Sequence, residues 1–381
     1  MTTESQRIAG ALPLRPELRD EKPYGAPQLD VPVLLNVNEN PYTPPPAVIE
    51  DIAAAVADAA GSLNRYPDRE FLGLRKGLAD YLGRESGVHL VPEQLWAANG
   101  SNEVMLHIMS AFGGPGRTAL SFAPTYSMYS EYARNTHTAW LAGPRRDDFS
   151  LDAGEAANLI ERVQPAIILL TSPNNPTGTA LEQGVLASVL EAAGRVDIDG
   201  APAVVVVDEA YAEFRREGVP SALELLASHP NLAVTRTMSK AFAAAGLRLG
   251  YLAASRDLVD ALRIVRLPYH LSAITQAAAS AALRHADVLL AQVEELRAER
   301  DRTVEWLRQR TVDGTPLRVA DSDANFAYFG VFEDRHRIWQ GLLERGVLIR
   351  EVGPAGWLRV SIGTAQEMDA FKNALVEVAG L

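Results

Sequence analysis

Four short polar segments, each beside an apolar run, contain the side chains of this sequence that are best suited to chemistry. Lys240 could act as a nucleophile or carry a proton, and the guanidinium of Arg248 lies eight residues after it. Asp208 follows four consecutive valines, which places a carboxylate at the end of an apolar run. Taken singly, Lys240 would be a surface lysine and Asp208 a helix N-cap. The other two segments, residues 99–103 and 172–178, would singly be a helix start and a rigid turn.

The apolar runs beside these segments predict the elements that must position them. They show no alternation of polar and apolar residues, which is typical of strands that are covered on both faces. Helical stretches separate the runs, so the pattern predicts an α/β fold with a mostly parallel, helix-flanked sheet. Because ligands bind where the strands of such a sheet end, we expect the polar segments to form one site. The runs are residues 166–170, 203–207, 232–234 and 249–252.

The two ends of the chain differ from this central region. Residues 1–33 are polar and proline-spaced, which predicts an N-terminal arm, and the prolines within residues 34–46 predict a fixed loop. We expect residues 61–284 to form a large domain, and residues 34–60 and 285–381 to form a smaller α+β domain. The predicted helices outside the alternating region cover about 48–59, 70–83, 285–310, 335–346 and 365–379, and the predicted strands cover 325–331 and 357–362.

Composition and charge exclude several classes of protein. The 381 residues include 36 Lys and Arg against 48 Asp and Glu, and the resulting charge of −12 argues against binding to nucleic acid or to a membrane. The absence of cysteine excludes disulfides and thiolate nucleophiles. The seven histidines form no His-Glu-x-x-His motif, so no metal site is predicted, and no Gly-x-Gly-x-x-Gly motif follows a strand. With no signal peptide or long apolar span in the sequence, we expect a cytoplasmic enzyme that acts on small molecules.

The four segments, in this order, resemble the fold-type-I, class II aminotransferases that depend on pyridoxal phosphate. The resemblance covers essentially the whole chain and is closer still to the histidinol-phosphate aminotransferase group. That family implies a large domain with a mostly parallel seven-stranded sheet flanked by helices, a smaller α+β domain, and pyridoxal 5'-phosphate as the cofactor. The matching segments are residues 35–41 (LNVNENP), 65–68 (RYPD), 100–103 (GSNE) and 237–248 (TMSKAFAAAGLR).

The resemblance also implies roles around the cofactor ring, and each role is chemically reasonable. Lys240 would form the Schiff base and later move the substrate proton, which requires a neutral amine that the charge of Arg248 would favour. Asp208 would keep the ring nitrogen protonated, so that the ring acts as an electron sink. Asn175 and Tyr211 would donate hydrogen bonds to the ring oxygen. The implied catalytic residues are Lys240, Asp208 and Tyr211, and Tyr126 is the implied stacking residue on the ring face.

A phosphate group needs N–H donors at a helix N-terminus, hydroxyl groups and an arginine. The resemblance assigns the backbone amides of Ser101 and Asn102, and the side chains of Thr237, Ser239 and Arg248. A tyrosine from a second subunit also reaches this phosphate in the family, and Tyr66 matches it. The resemblance therefore implies a homodimer with shared active sites.

The resemblance also implies a set of residues that bind the substrate. Arg359 matches the arginine that binds the substrate carboxylate, for which a bidentate guanidinium is suited. The family also implies contacts to the substrate phosphate or imidazole from other positions. The family often has a proline soon after the arginine at 350, but Glu351, Val352 and Gly353 follow it here. The remaining implied substrate residues are Tyr24, Asn38, Tyr269, Asn325 and Arg350.

The activity implied is reversible, ping-pong amino transfer between L-glutamate and imidazole-acetol phosphate, which gives 2-oxoglutarate and L-histidinol phosphate in histidine biosynthesis. An aromatic amino-acid aminotransferase would share every cofactor residue, so it remains an alternative. A phosphothreonine decarboxylase of the same fold would not need 2-oxoglutarate. A non-catalytic, cofactor-sensing regulator would carry a DNA-binding module, but about 40 residues before the catalytic fold contain no helix-turn-helix pattern.

Overall fold

The computed structural model describes residues 12–23, 25–312 and 314–381, and the chain divides into two units, Met1–Asp30 and Val31–Leu381. In the first unit, a short 3-10 turn covers Pro16–Leu18, and Arg15 pairs with Glu17 beside it at 3.4 Å. All further elements belong to the second unit. Tyr24, one of the predicted substrate residues, lies outside the described residues.

The strands of the second unit form two principal sheets and two short pairs. The bounds are β1 Val33–Leu34, β2 Leu95–Ala98, β3 Thr118–Ala123, β4 Ala139–Pro144, β5 Ile167–Thr171, β6 Val204–Asp208, β7 Leu232–Thr237, β8 Gly250–Ala254, β9 Thr311–Val312, β10 Thr315–Pro316, β11 Arg318–Val319, β12 Phe326–Gly330, β13 Val347–Leu348, β14 Arg350–Glu351 and β15 Leu358–Ser361. Each of the four apolar runs in the sequence overlaps one of the strands β5, β6, β7 and β8.

The larger sheet has seven strands in the order β2-β8-β7-β6-β5-β3-β4. Only β8 runs antiparallel to its neighbours, so the predicted α/β fold with a mostly parallel seven-stranded sheet is confirmed. Every residue of β5, β6, β7 and β8 is buried, as continuous apolar runs require. In the register, Asp208 pairs with Thr171 on one side and Thr235 on the other, which aligns the carboxyl ends of three strands.

Eleven α-helices of the described residues surround these sheets. They are α1 Pro46–Ala60, α2 Leu72–Ser86, α3 Ser101–Phe112, α4 Met128–Asn135, α5 Ala153–Val163, α6 Gln183–Gly194, α7 Arg256–Val265, α8 Ala273–Arg284, α9 Ala286–Arg308, α10 Arg335–Glu344 and α11 Ala365–Ala379. The first begins with proline, whose fixed φ and missing N–H suit a first helical turn. Among the described residues, no helix is both long enough and apolar enough to cross a membrane.

The smaller sheet has four antiparallel strands in the order β11-β12-β15-β14. Arg350 of β14 and Arg359 of β15 are direct partners in its register. A separate parallel pair joins β1 to β13, so the strand-forming part of the chain begins at Val33, within the segment predicted to be an arm. The division into an arm, a small domain and a large domain stays a prediction.

Candidate active site

The predicted nucleophile, Lys240, follows the buried strand β7 and is only partly exposed. Its Nζ donates a hydrogen bond to the backbone carbonyl of Val37 at 2.9 Å. Burial and, after it, the charges of Arg359 and Arg248 together lower the pKa of this amine to about 8, while Glu39 opposes them. A lysine with such a pKa supplies a substantial fraction of neutral amine near neutral pH, as a nucleophile or a base requires.

The Asp208 carboxylate, at the end of β6, is held by two hydroxyl groups. Tyr129 donates to Oδ2 at 3.0 Å and Thr235 donates to Oδ1 at 3.1 Å. Burial raises the pKa of Asp208 to about 6, and these hydrogen bonds limit the rise. The neighbouring Glu209 is different, because the buried Arg236 neutralises it at 2.7 Å. Within the described residues no cationic side chain pairs with Asp208, so this buried carboxylate is suited to a cationic ligand group.

A chain of hydrogen bonds joins five of the predicted site residues. Tyr211 Oη accepts from the amides of Asn38 at 3.0 Å and Asn175 at 3.3 Å. Asn175 Oδ1 in turn accepts from Arg359 Nη1 at 2.6 Å. Asn325 Nδ2 donates to the carbonyl of Asn38 at 3.0 Å, and its buried Oδ1 has no hydrogen-bond partner among the described residues. Residues from five separate parts of the chain therefore form one polar cluster.

The two predicted substrate arginines lie side by side in the smaller sheet. Since direct cross-strand partners point to the same face, Arg350 and Arg359 share one face of it. Arg359 is buried, donates through Nη2 to the carbonyl of Asn36 at 2.8 Å, and lies over the Phe326 ring at 5.2 Å. Arg350 is half-buried. Two guanidinium groups on one face provide a site for anionic groups.

The N-terminus of α3 and Arg248 form a close-packed corner around two glycines. Gly100 has φ +85°, and a Cβ there would lie 2.6 Å from Arg248 Nη2. At Gly250, a Cβ would lie 2.0 Å from the backbone nitrogen of Ser101. Glycine is therefore required at both positions to bring the guanidinium and the helix N-terminus together. This corner has the exposed N–H groups and the positive charge that a phosphate needs.

Further predicted phosphate and ring contacts lie in two small clusters. The hydroxyls of Thr237 and Ser239 are 3.0 Å apart and buried, and the Ser239 N–H donates to Thr237 Oγ1 at 3.1 Å. Asn102 Oδ1 accepts from Tyr132 Oη at 2.8 Å and lies 3.4 Å from Tyr126 Oη. The half-buried Tyr126 is thereby connected to the start of α3.

Tyr66 and Tyr269 form a stacked pair, with ring centroids 4.4 Å apart and an interplanar angle of 14°. Tyr66 is 79% exposed, and among the described residues no hydrogen bond connects either tyrosine to the polar cluster around Asn38 and Tyr211. Tyr24 falls outside the described residues. The structure therefore groups most of the other predicted residues into the small clusters described above, while Tyr66 and Tyr269 occupy an exposed surface.

A comparison with protein families decides between aminotransferases and other α/β enzymes. Residues 31–375 match the profile of the family described as aminotransferase class I and II. The chain belongs to this family. Its membership confirms the prediction of a transaminase fold with pyridoxal 5'-phosphate as the cofactor.

Relatives of this aminotransferase give a finer placement. The histidinol-phosphate aminotransferase of Bifidobacterium adolescentis is 59% identical over 99% of this chain and 97% of its own length. Histidinol-phosphate aminotransferase 3 of Burkholderia lata is 60% identical over 97% and 96%, and the Thermobifida fusca enzyme is 57% identical over 97% and 96%. The predicted resemblance to this group is confirmed.

Solved structures confirm the fold of the aminotransferase. The histidinol-phosphate aminotransferase of Sinorhizobium meliloti, in complex with pyridoxal-5'-phosphate, is 25% identical and matches with a TM-score of 0.77 over 92% of this chain and 91% of that one. An aspartate aminotransferase of Thermus thermophilus, at 24% identity, matches with a TM-score of 0.79 over 96% and 99%. The second likeness concerns the fold alone.

The charged and hydrogen-bonding groups of the site fit the ring and the phosphate of pyridoxal phosphate. A buried carboxylate without a cation, Asp208, suits a protonated ring nitrogen, and the amine of Lys240 is partly neutral near pH 8. The corner at Gly100 and Arg248 suits the phosphate of the cofactor. No described group of three His, Asp or Glu residues could hold a metal ion.

Sequence reasoning missed several residues that contact the site. The carbonyls of Asn36 and Val37 accept hydrogen bonds from Arg359 and Lys240, respectively. Because these acceptors are backbone atoms, the residue types at the two positions do not indicate the contacts. Tyr129 and Thr235 hold Asp208. Tyr129 lies three positions after Tyr126, just inside the helix that begins at Met128, and this spacing was the one available signal.

Proposed function

We propose that this chain is a histidinol-phosphate aminotransferase of histidine biosynthesis. It transfers an amino group reversibly between L-glutamate and imidazole-acetol phosphate, giving 2-oxoglutarate and L-histidinol phosphate in a ping-pong reaction. The observation that carries this proposal is that relatives with this name are 57–60% identical over almost the whole chain. The donor set around Lys240, Asp208 and Arg359 supports it, because the reaction needs an amine, a ring-nitrogen partner and an anion site.

Lys240 and Asp208 have the central roles in this proposal. When bound, pyridoxal phosphate supplies an electron sink for the negative charge that develops at the substrate Cα. Lys240 holds the cofactor through Nζ and afterwards carries the proton that leaves or joins Cα. Asp208 pairs with the protonated ring nitrogen, and Asn175 and Tyr211 bind the ring oxygen. The lowered pKa of Lys240 supports its part, since only the neutral amine accepts a proton.

The cofactor phosphate would be held by the start of α3 and by the turn after β7. The backbone amides of Ser101 and Asn102 provide donors at a helix N-terminus, where the helix dipole favours an anion. Arg248 adds charge beside Gly100. The hydroxyls of Thr237 and Ser239 complete the proposed phosphate site, and Tyr126 stacks on the ring.

The substrate would be held by the two arginines of the smaller sheet. Arg359 binds the carboxylate of glutamate, and Arg350, on the same sheet face, contributes to binding the phosphate of histidinol phosphate. Asn38 and Asn325 line the pocket, where the unpartnered Oδ1 of Asn325 can accept from an N–H group of the substrate. Tyr24 and Tyr269 are the remaining proposed substrate contacts.

We propose further that the enzyme is a homodimer in which Tyr66 reaches the cofactor phosphate of the second subunit. The exposed surface around Tyr66 supports this arrangement. Leu63, Leu72, Ile264 and Leu267 are 56%, 53%, 83% and 71% exposed, which is unusual for large apolar side chains unless a partner covers them. The Tyr66–Tyr269 stack brings the two segments of this surface together.

The other partners are the small molecules of the reaction, and we propose a cytoplasmic location. The acidic charge of −12 and the absence of cysteine support this location. The positive groups of the site, Lys240, Arg248, Arg350 and Arg359, are a local exception to the overall charge.

Initial-rate kinetics test the proposed reaction. Histidinol phosphate is varied at several fixed concentrations of 2-oxoglutarate. The double-reciprocal plots should then be parallel lines, because the first product leaves before the second substrate binds. Converging lines would contradict the ping-pong reaction. A kcat/KM for phenylalanine or tyrosine that exceeds the value for histidinol phosphate would favour the aromatic aminotransferase instead.

A further inference from the structure

The two oxygens of the Asp208 carboxylate are each held by a hydroxyl group from a different element. Tyr129, in the first turn of α4, donates to Oδ2 at 3.0 Å, and Thr235 of β7 donates to Oδ1 at 3.1 Å. Tyr129 and Thr235 are both fully buried. Each carboxylate oxygen can accept more than one hydrogen bond, so these contacts fix the group and leave capacity for a ligand.

Tyr129 has a second contact with the proposed cofactor site. Its ring packs edge-on against the ring of Tyr126, with centroids 5.6 Å apart and an interplanar angle of 89°. The backbone N–H of Tyr129 also donates to the carbonyl of Tyr126 at 3.2 Å, which sets the spacing of the two rings. The Tyr129 ring also lies beside the Trp140 ring, with centroids 6.5 Å apart. The side chain is therefore fixed in the core and touches two groups at once.

We infer that Tyr129 is a positioning residue that orients both groups assigned to the cofactor ring, Asp208 at the ring nitrogen and Tyr126 on the ring face. The inference rests on the proposed function, which assigns those two roles. The phenol O–H aligns the carboxylate and favours its ionised form, because a hydrogen bond donated to a carboxylate stabilises the anion. The edge-on ring restricts the tilt of Tyr126, since edge-to-face aromatic pairs have a preferred geometry.

The two contacts can be separated by two substitutions in the apoprotein. Tyr129→Phe removes the hydroxyl and keeps the ring, whereas Tyr129→Leu removes both. Equilibrium binding is measured for pyridoxal phosphate and for its 1-deaza analogue, in which a C–H replaces the ring nitrogen. Tyr129→Phe should weaken pyridoxal phosphate about threefold to tenfold, the scale of the net contribution of one hydrogen bond, and weaken the analogue less than about twofold. Tyr129→Leu should weaken both ligands.

The comparison of two ligands in one protein distinguishes positioning from a general effect on folding. A partly unfolded variant loses affinity for both ligands equally, and thermal unfolding of each apoprotein reveals such a loss directly. Tyr251→Phe is the matched control, because Tyr251 is a buried tyrosine whose hydroxyl has no hydrogen-bond partner among the described residues. It should change neither affinity. If the Tyr129→Phe protein does not fold, Thr235→Val removes the other hydroxyl and should discriminate between the ligands in the same way.

The outcomes separate this inference from the proposed function. Asp208→Asn should weaken pyridoxal phosphate much more than the analogue. If it weakens both equally, the assignment of Asp208 to the ring nitrogen is wrong. A second outcome is that Asp208→Asn weakens pyridoxal phosphate more than the analogue, whereas Tyr129→Phe weakens both ligands equally or neither. The assignment of Asp208 then stands and the role of Tyr129 is overturned.

Discussion

Lys240 Nζ donates a hydrogen bond to the backbone carbonyl of Val37, 203 positions earlier in the chain, at 2.9 Å. The residues on either side of Val37 also contact the site. The Asn36 carbonyl accepts from Arg359, and the Asn38 amide donates to Tyr211. Three consecutive residues of one loop, in which Asn38 has a φ of 57°, therefore connect the amine, the anion-binding arginine and the tyrosine. The rigid, proline-flanked segment that the sequence predicts is what allows this alignment.

Replacement of Lys240 removes the only group proposed both to hold the cofactor and to carry the substrate proton. Lys240→Ala should abolish amino transfer, by at least about a thousandfold, and remove the visible absorbance that pyridoxal phosphate acquires on a lysine. Absorbance spectra and steady-state rates measure both effects. Lys76→Ala is the control, because Lys76 is an exposed residue paired with Asp80. Normal activity of the Lys240→Ala protein would contradict the assignment.

The Lys240 amine should titrate below an ordinary lysine in the apoprotein. Burial, and after it Arg359, lower its pKa to about 8, so competitive labelling with trace acetic anhydride should show a midpoint near that pH. Arg359→Gln should move the midpoint upward, because it removes a neighbouring positive charge.

The same titration has a consequence for stability. Because the folded pKa lies below the unfolded value, charged Lys240 destabilises the apoprotein below about pH 8, and this cost is relieved as pH rises towards about 10.4. A labelling midpoint near about 10.4, the value of an exposed lysine in model peptides, would contradict the burial of the amine.

Asp208 should be essential for the chemical step and less important for folding. Asp208→Asn removes the negative charge opposite the ring nitrogen, so the activation free energy should rise by about 4 kcal/mol and kcat should fall about a thousandfold. Asn keeps the size of the side chain, and the burial penalty of a carboxylate disappears, so the apoprotein should not unfold at a lower temperature. Unchanged kcat in Asp208→Asn would make this carboxylate a structural residue at the end of β6.

The shared active site can be tested by mixing two inactive variants. Lys240→Ala and Tyr66→Ala subunits, unfolded and refolded together in equal amounts, give about half heterodimers, each with one intact and one doubly altered site. About a quarter of all sites should then be active. If each subunit contains a complete site, mixing restores nothing and the activity equals the mean of the two separate variants.

Much of the fold could be predicted from the sequence, because the strands that position the site are continuous apolar runs. The seven-stranded sheet and the strand ends at Asp208 and Lys240 followed from this pattern and from the family resemblance. The strand at Val33 did not, since its partner Val347 is more than 300 positions away and two residues carry no periodicity.

The contacts of the site were less predictable than its residue types. The hydrogen bond from Tyr129 to Asp208 joins residues 79 positions apart, and the Asn36 and Val37 contacts use backbone atoms. Such contacts depend on how distant elements pack in the fold rather than on the local sequence pattern. The pairing of Arg350 with Arg359 similarly follows from the register of β14 and β15, which the sequence does not specify.

One half-reaction titration tests whether histidinol phosphate, rather than an aromatic amino acid, is the preferred substrate of this aminotransferase. The cofactor-loaded enzyme is mixed with histidinol phosphate, phenylalanine or glutamate, in the absence of a keto acid, and the loss of visible absorbance is followed by stopped flow. Histidinol phosphate should convert the cofactor with a much higher apparent second-order rate constant than phenylalanine, because Arg350 contributes to binding its phosphate. Glutamate should also react, because Arg359 binds its carboxylate. Faster conversion by phenylalanine than by histidinol phosphate would contradict the account.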